Sequence, residues 1–321
     1  MNTENPRARG LHHLQPSDPV MDQWEKIGLI EPDLALVRQY ASELDDFIYF
    51  YHQKFNSWVQ SFGGKSYSEI TTISQHMLLK LLGTTSNEDR EKFSSTAFPK
   101  LAHLTWRIVS AIDDFADRQS TNAADLEILT DSEGTKVADM IKEITRIPNS
   151  DKAGLWFIKQ TLIYIEKHEI AVLTFEEAKG AKEKTTGIFT QAVTLGAWPF
   201  LMVNFPRQMS RFPIKKFVQH SISGSLIAQC LDDIADFRND LGNSDSSSLL
   251  ISAAGKAGEK DILMDMLKTG IPITIAELIK RKLYTPIIFT EYFQSLLNKM
   301  PQAPSDMRSY FTYQFFNLES D

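Results

Sequence analysis

Two clusters of aspartate residues carry the strongest chemical signal in the sequence. Each contains an Asp-Asp-x-x-Asp motif, and together they comprise Asp113, Asp114, Asp117, Asp232, Asp233, Asp236 and Asp240. On an α-helix, residues three and four positions apart share a face, so each motif would present its carboxylates together. Carboxylates held together in an apolar setting without a counter-charge repel one another and take up protons. An arrangement that occurs twice between apolar residues therefore predicts a bound cation.

Magnesium is the cation that such clusters best suit. Mg²⁺ binds oxygen ligands, and it commonly combines a few carboxylates with the phosphates of a substrate. Two acidic helix faces opposed across a cavity would hold several Mg²⁺ ions and, through them, a diphosphate leaving group. Such chemistry needs a dry cavity more than it needs a protein nucleophile. The alternative is a solvated acidic face, as in the pair Asp45–Asp46, where Tyr49 occupies the place of the third aspartate.

The elements that would position these carboxylates are helices. Apolar residues recur at steps of three and four from about residue 32 onward, and no alternating run is long enough for a sheet. The first helices are predicted around residues 34–51, 77–82 and 87–112, with a bend near Pro99. Further helices are predicted, with one break at Gly180, at about 132–145, 152–178, 181–198, 213–241, 246–269, 272–299 and 304–317. The sequence thus predicts a loose tail at residues 1–23 and one all-α domain of about ten helices at residues 24–321.

Composition limits the class of protein further. The chain has 321 residues, of which 42% are apolar, and a formal net charge of -7. Its single cysteine, Cys230, excludes a disulfide framework and a cysteine-rich metal site. The acidic balance argues against nucleic acid as the main partner. We find no apolar run long enough for a transmembrane helix and no signal peptide, so the cytoplasm is the expected location.

With these motifs the chain resembles the class I isoprenoid synthases, and among them the trans-prenyl diphosphate synthases. That family has a first DDxxD, a Lys-Thr pair before an apolar helix, a second DDxxD preceded by Gln, and a Gly-Gly-Lys loop. The matching segments here, besides the two Asp clusters, are Lys184–Thr185, Gln229 and Gly63–Lys65. Order and approximate spacing match over residues 60–245.

The resemblance implies a helical bundle of the isoprenoid synthase type, with both Asp-rich helices lining a central apolar cavity. The aspartates would bind Mg²⁺, three ions in the family pattern, and an allylic prenyl diphosphate as the substrate. The side chains expected to contact the diphosphate are Lys184, Gln229, Arg107, Arg118 and Lys65. For Arg107 an ion pair with an acidic residue is an equal alternative. The residues before the first DDxxD are not aromatic, which fits a C15 or C20 substrate, and a homodimer is a further expectation.

Departures from the family pattern decide between reactions. The family binds a second substrate, isopentenyl diphosphate, with basic residues after Gly-Gly-Lys and an Arg-Arg pair after the first DDxxD. Here Lys65 is followed by Ser-Tyr-Ser, and only Arg118 follows Asp117. Because a buried diphosphate without cations is costly, the sequence favours a class I terpene synthase, a lyase that ionises one prenyl diphosphate. A prenyltransferase of the same fold and a non-catalytic regulatory subunit of a prenyl synthase remain alternatives. The terpene cyclases' second metal motif, NDxxSxxxE, is only half met from Asn239 onward.

Overall fold

The part of the chain that the structure describes is built from α-helices. The computed structural model describes residues 32–118, 129–147, 174–242 and 248–319. Within these ranges there are fourteen helices, and the only β-pairing is an isolated antiparallel bridge between Thr130 and Lys136. The all-α prediction is therefore confirmed, although the helices are more numerous than predicted. The predicted tail at residues 1–23 lies outside the described residues.

The helices follow one another with short connections. In chain order they are α1 (Leu34–Gln60), α2 (Glu69–Leu82), α3 (Asn87–Ser94), α4 (Phe98–Arg118), α5 (Val137–Arg146), α6 (Phe175–Asn204), α7 (Pro206–Arg211), α8 (Ile214–Ala235), α9 (Phe237–Gly242), α10 (Leu249–Ala257), α11 (Lys260–Lys268), α12 (Ile275–Lys280), α13 (Thr285–Asn298) and α14 (Ser305–Asn317). Among these described helices, none combines the length and apolar composition that crossing a membrane would require.

Local side-chain chemistry explains several of the helix boundaries. The carboxylate of Asp33 accepts hydrogen bonds from the first backbone N–H groups of α1, which would otherwise lack partners. Ser86 and Asp89 form a capping box at the start of α3, in which each side chain accepts a hydrogen bond from the other residue's backbone N–H. Gly83 ends α2 in the left-handed conformation, with φ of 69°, which glycine adopts without steric cost.

Other predicted boundaries were wrong because packing outweighs local preference. The predicted break at Gly180 does not occur, and α6 continues through both Gly180 and Pro199. A single glycine costs a helix only about 1 kcal/mol, which tertiary contacts readily offset. The helix predicted at 87–112 with a bend near Pro99 is instead two helices, α3 and α4. Pro99 is the second residue of α4, where its missing N–H is not needed. The helix predicted at 213–241 divides at Asp236 into α8 and α9.

The interior is rich in aromatic side chains. Helix α1 packs on α2 and α14, and it buries a row of rings that includes Tyr40, Phe47 and Tyr51. Charged residues cross this interface as well. The Lys80 ammonium on α2 lies 2.5 Å from a carboxylate oxygen of Glu43 on α1 and 2.6 Å from one of Asp306 on α14. This one cation therefore connects three helices of the core.

Helices α6 and α8 form an antiparallel pair that positions the residues of interest. Near the end of α6, the ring of Trp198 lies 5.9 Å from that of Phe217 at the start of α8. Near the other end, Nζ of Lys182 on α6 lies 3.3 Å from Oδ1 of Asp233 on α8. We call this pair the α6–α8 hairpin, with a turn end that includes α7 and an open end at Lys182 and Asp233. At 1.5 Å per residue, the two ends are about 30 Å apart.

Candidate functional site

The second aspartate cluster lies at the open end of the α6–α8 hairpin. Although α8 ends at Ala235, the backbone N–H of Asp236 donates to the carbonyl of Asp232 at 2.9 Å, and that of Asp240 to the carbonyl of Asp236 at 2.9 Å. Each of these two bonds closes one helical turn, although α8 and α9 are separate helices that meet at Asp236. Asp232, Asp236 and Asp240 follow one another at one-turn intervals, which places the three residues on one face.

Asp233 belongs to the interior instead. Its side chain is only 3% exposed, and besides the Lys182 contact its Oδ2 accepts a hydrogen bond of 2.7 Å from the backbone N–H of Leu249, the first residue of α10. The carboxylate thus ties α8 to both α6 and α10. The sequence grouped Asp233 with the other predicted metal ligands. That role stays a prediction, and a metal would have to share this carboxylate with its protein partners.

Asp232 is exposed, and its pKa is affected by desolvation and by the neighbouring carboxylates. Desolvation, followed by the carboxylates of Asp233 and Asp236, raises the pKa of Asp232 to about 6. Lys182 and a hydrogen bond from the Gln229 amide, 3.0 Å from Oδ2 of Asp232, act in the opposite direction but cancel neither the desolvation nor the repulsion. A second cation at this position would relieve it, and carboxylate oxygens are suitable ligands for Mg²⁺.

Lys182 is a basic residue that faces the cluster. Burial by itself would lower its pKa, but the carboxylates of Asp233, Asp232 and Asp240 outweigh that effect and raise it, so the ammonium keeps its charge. The sequence resemblance had selected Lys184, which is exposed. Both lysines stand in the same charged run, KGAKEK. Residues two positions apart on a helix point about 200° apart, so only the orientation of α6 distinguishes them.

The first aspartate cluster is described only through its backbone. Asp113, Asp114 and Asp117 lie in the final turns of α4, as predicted. The side chains of residues 112–118, including that of Arg118, lie outside the described residues. Helix α4 packs against α6, and at its beginning the ring of Phe98 lies 6.1 Å from that of Phe200.

Arg107 is buried on α4 and pairs with acidic residues of the following loop. Its guanidinium forms an ion pair with Asp131, and Nη1 lies 3.0 Å from Oε2 of Glu133. The carboxylate of Asp131 also accepts hydrogen bonds from the backbone N–H groups of Glu133 and Thr135. In this structure Arg107 therefore forms an ion pair, which was one of the two roles expected from the sequence. Contact with a diphosphate stays a prediction and would have to compete with these two acids.

The Gly-Gly-Lys loop has a structural explanation of its own. Gly63 has a φ of 96°, in the left-handed region that favours glycine. A Cβ at Gly64 would lie 2.5 Å from Cγ1 of Val59, so the loop can approach α1 only without a side chain there. Lys65 is exposed, and its backbone N–H donates to Oε2 of Glu133 at 2.8 Å. The glycines are therefore required by the backbone whether or not Lys65 contacts a phosphate.

A cleft of about 640 Å³ opens elsewhere, between α1, the α3–α4 connection, α5 and α6. Three basic side chains line it, Lys54, Lys100 and Arg146, together with aromatic residues that include Trp58 and Phe200. Nζ of Lys100 lies 5.1 Å from the centre of the Trp58 ring. The aspartates of the second cluster do not line this cleft. A central apolar cavity between the two Asp-rich helices stays a prediction.

Within the described ranges, no group of three or more His, Cys, Asp or Glu side chains is arranged to hold a metal ion. The side chains of the first cluster lie outside those ranges, so the predicted magnesium site remains a prediction. Comparisons with protein-family models, with curated proteins and with solved structures gave no match for this chain. The resemblance to isoprenoid synthases therefore rests on the sequence motifs.

Proposed function

We propose that this chain is a Mg²⁺-dependent class I terpene synthase. It would ionise an allylic prenyl diphosphate of C15 or C20 length and let the carbocation cyclise or be quenched. The observation that carries the proposal is the electrostatic state of the open end. Desolvation, and after it repulsion from the carboxylates of Asp233 and Asp236, raises the pKa of Asp232 to about 6 although Lys182 lies beside them. An acidic face that keeps this repulsion is explained by a cation that binds to it.

In this proposal some residues would bind the metal and others position the helices that carry the metal ligands. Asp232, Asp236 and Asp240 would hold Mg²⁺ from one helix face, and the DDxxD at 113–117 would hold it from α4. When bound, the metal supplies Lewis-acid stabilisation of the departing diphosphate. Asp233 keeps α8 in place through its bonds to α6 and α10, so the outer carboxylates stay in register.

The packing of α4 on α6 supports a meeting of the two clusters. Phe98 at the start of α4 contacts Phe200 in the last turns of α6. From this contact, Asp117 and Lys182 are each about 28 Å away along their own helices. Helices that run antiparallel from this contact would bring the first DDxxD to the open end of the hairpin. The proposal requires this arrangement.

A prenyltransferase is a second candidate because of the cleft between α1, α4, α5 and α6. Its basic residues would suit a second anionic substrate such as isopentenyl diphosphate. Two of these cations already have partners, since Lys54 pairs with Glu91 and Arg146 with Glu143. Lys100 is then the residue whose replacement tests this candidate: Lys100→Gln should weaken use of a second substrate and leave ionisation of the first unchanged.

The proposal is tested by incubating the protein with Mg²⁺ and each of the C10, C15 and C20 allylic diphosphates, with and without isopentenyl diphosphate. Released diphosphate and organic products are measured separately. Hydrocarbon or alcohol formed without isopentenyl diphosphate is the expected result. Longer diphosphates formed only when it is present would replace the lyase with the prenyltransferase. No diphosphate release with any substrate would overturn both and leave the regulatory subunit.

A further inference from the structure

The turn end of the α6–α8 hairpin carries a surface of a different character. Its exposed residues come from the end of α6, from α7 and from the start of α8. We call them the basic turn patch, which comprises Met202, Val203, Arg207, Arg211, Ile214, Lys215 and Lys216. Four of the seven are cations, although the whole chain has a net charge of -7.

The positive charge of the basic turn patch is not balanced nearby in the sequence. Residues 185–231 contain no Asp or Glu. Of the ion pairs among described residues, none involves Arg207, Arg211, Lys215 or Lys216. Exposed cations that no described acid neutralises leave a local positive potential, which attracts anionic surfaces.

Apolar side chains point into solvent between these cations. The exposed fraction is 79% for Val203, 41% for Met202 and 40% for Ile214. The same turn is anchored from beneath, because Phe205, Met209 and Phe217 are buried in the core. The exposed apolar residues are therefore held at the surface by a packed turn.

We propose that the basic turn patch docks the protein on an anionic lipid surface. Cations interleaved with exposed apolar side chains match the two parts of such a surface, since the cations meet the headgroups and the apolar groups enter the boundary of the acyl chains. The attraction of Lys and Arg to an anionic membrane is additive and decays within a Debye length. This inference stands apart from the proposed function and does not depend on it.

Two other occupants fit this surface less well. A second copy of the chain on a two-fold axis would bring identical patches together, and its cations would repel those of the first. A nucleic acid would satisfy the cations through its phosphates, but it would leave Val203 and Ile214 in contact with a charged backbone. The apolar residues therefore favour lipid.

The charge distribution also sets the orientation of a docked molecule. The acidic residues of the open end lie about 30 Å from the turn end along the hairpin. An anionic membrane would attract the turn end and repel the open end. Docking would thus leave the aspartate cluster facing away from the lipid.

The test is co-sedimentation of the full chain with vesicles. One set contains phosphatidylcholine with about 30 mol% phosphatidylglycerol, and the other contains phosphatidylcholine alone. The charge variant is R207Q/R211Q/K215Q/K216Q, and the apolar variant is V203S/I214S. The matched control, K268Q/K280Q/R281Q/K282Q, removes the same number of charges from exposed residues on and after α11 and α12.

The wild type and the control should bind anionic vesicles and lose binding at high salt. Each cation contributes about a fivefold change in partitioning, so the charge variant should bind more than 100-fold less. The apolar variant should lose about tenfold or more. Equal binding by the wild type and the charge variant would overturn the proposal, as would equal binding to both vesicle types. Binding of the wild type to duplex DNA but not to vesicles would assign the patch to nucleic acid instead. Thermal unfolding is measured for each variant, and an unchanged transition shows that the variant is folded.

Discussion

The two ends of the α6–α8 hairpin differ in how their charges are held. At the open end, Lys182 and Asp233 are tied into the interior, and their contacts connect α6, α8 and α10. At the turn end, the four cations are exposed, with no ion pair among the described residues. Charges of the first kind depend on specific partners, whereas charges of the second kind act together as a field. The formal net charge of residues 175–235 is +2, and this single value does not reveal the division.

This difference predicts that single substitutions have larger effects at the open end than at the turn end. A single substitution at the open end should have a large effect, because a buried charge that loses its partner is costly. Single substitutions at the turn end should each have a small effect, and only several together should change behaviour.

The largest effect, on the rate of diphosphate release, is expected from substitution of Asp232 and Asp236. D232N/D236N should reduce diphosphate release by about 100-fold or more, since both residues would hold the metal that stabilises the leaving group. D45N/D46N, in the exposed acidic pair of α1, should retain the wild-type rate. The measurement is steady-state release of diphosphate with saturating Mg²⁺. If both double variants released diphosphate at the same rate, the second cluster would not take part in the reaction.

The next effect concerns stability at the same end. Lys182→Met leaves the buried carboxylate of Asp233 without its cation and should lower the free energy of unfolding by about 3 kcal/mol. Lys184→Met, two positions away and exposed, should change it by less than about 0.5 kcal/mol. Lys215→Met at the turn end should likewise have little effect. Denaturant unfolding measures all three, and equal values for Lys182 and Lys184 would contradict the contrast.

Acid sensitivity should arise in the core outside the hairpin. Burial, and next the charge of Lys80, lower the pKa of His76 to about 4. The folded state then resists a proton that the unfolded chain binds near pH 6.5, so this stability is complete above pH 6.5 and is lost as the pH falls towards 4. At pH 5 the loss should be on the order of 2 kcal/mol relative to pH 7.

The variant His76→Phe removes this titration and should make the free energy of unfolding correspondingly less dependent on pH between 7 and 5. Between pH 7 and 8, the wild type and the variant should show the same small change. Equal pH dependence of the wild type and the variant between pH 7 and 5 would show that His76 accepts a proton in the folded state.

The smallest effect compares two hydroxyl groups at opposite hairpin ends. Thr174 forms a capping box with Glu177 at the start of α6, and Thr174→Ala should cost about 1 kcal/mol. At the turn end, the exposed Ser210 hydroxyl donates only to the backbone carbonyl of Arg207. Ser210→Ala should therefore change stability by less than about 0.5 kcal/mol. The melting temperatures of the two variants, taken in parallel, measure the difference.

Prediction from sequence worked where the cause is local. The periodicity of apolar residues predicted the helices, and the predicted helix start at residue 87 is the start of α3. It failed at Gly180 and at Asp236, because helix continuity there depends on what packs against the segment. An ion pair of Arg107 was one of the alternatives expected from the sequence, but Asp131, across a loop, was not identified as its partner. An acid 24 positions away along the chain has no periodic relation to the helix that it meets.

The amino-acid sequence alone determined the helical class, the two aspartate motifs and the absence of acidic residues between 185 and 231. These follow from residue type and short-range spacing, which are properties of the chain itself. The tertiary structure decided which members of the second motif face inward. Asp233 is buried, whereas Asp232 is exposed. Lys182 contacts Asp233, whereas Lys184 is exposed. Adjacent residues on a helix differ by about 100° in direction, so only the neighbouring helices determine which of them is buried.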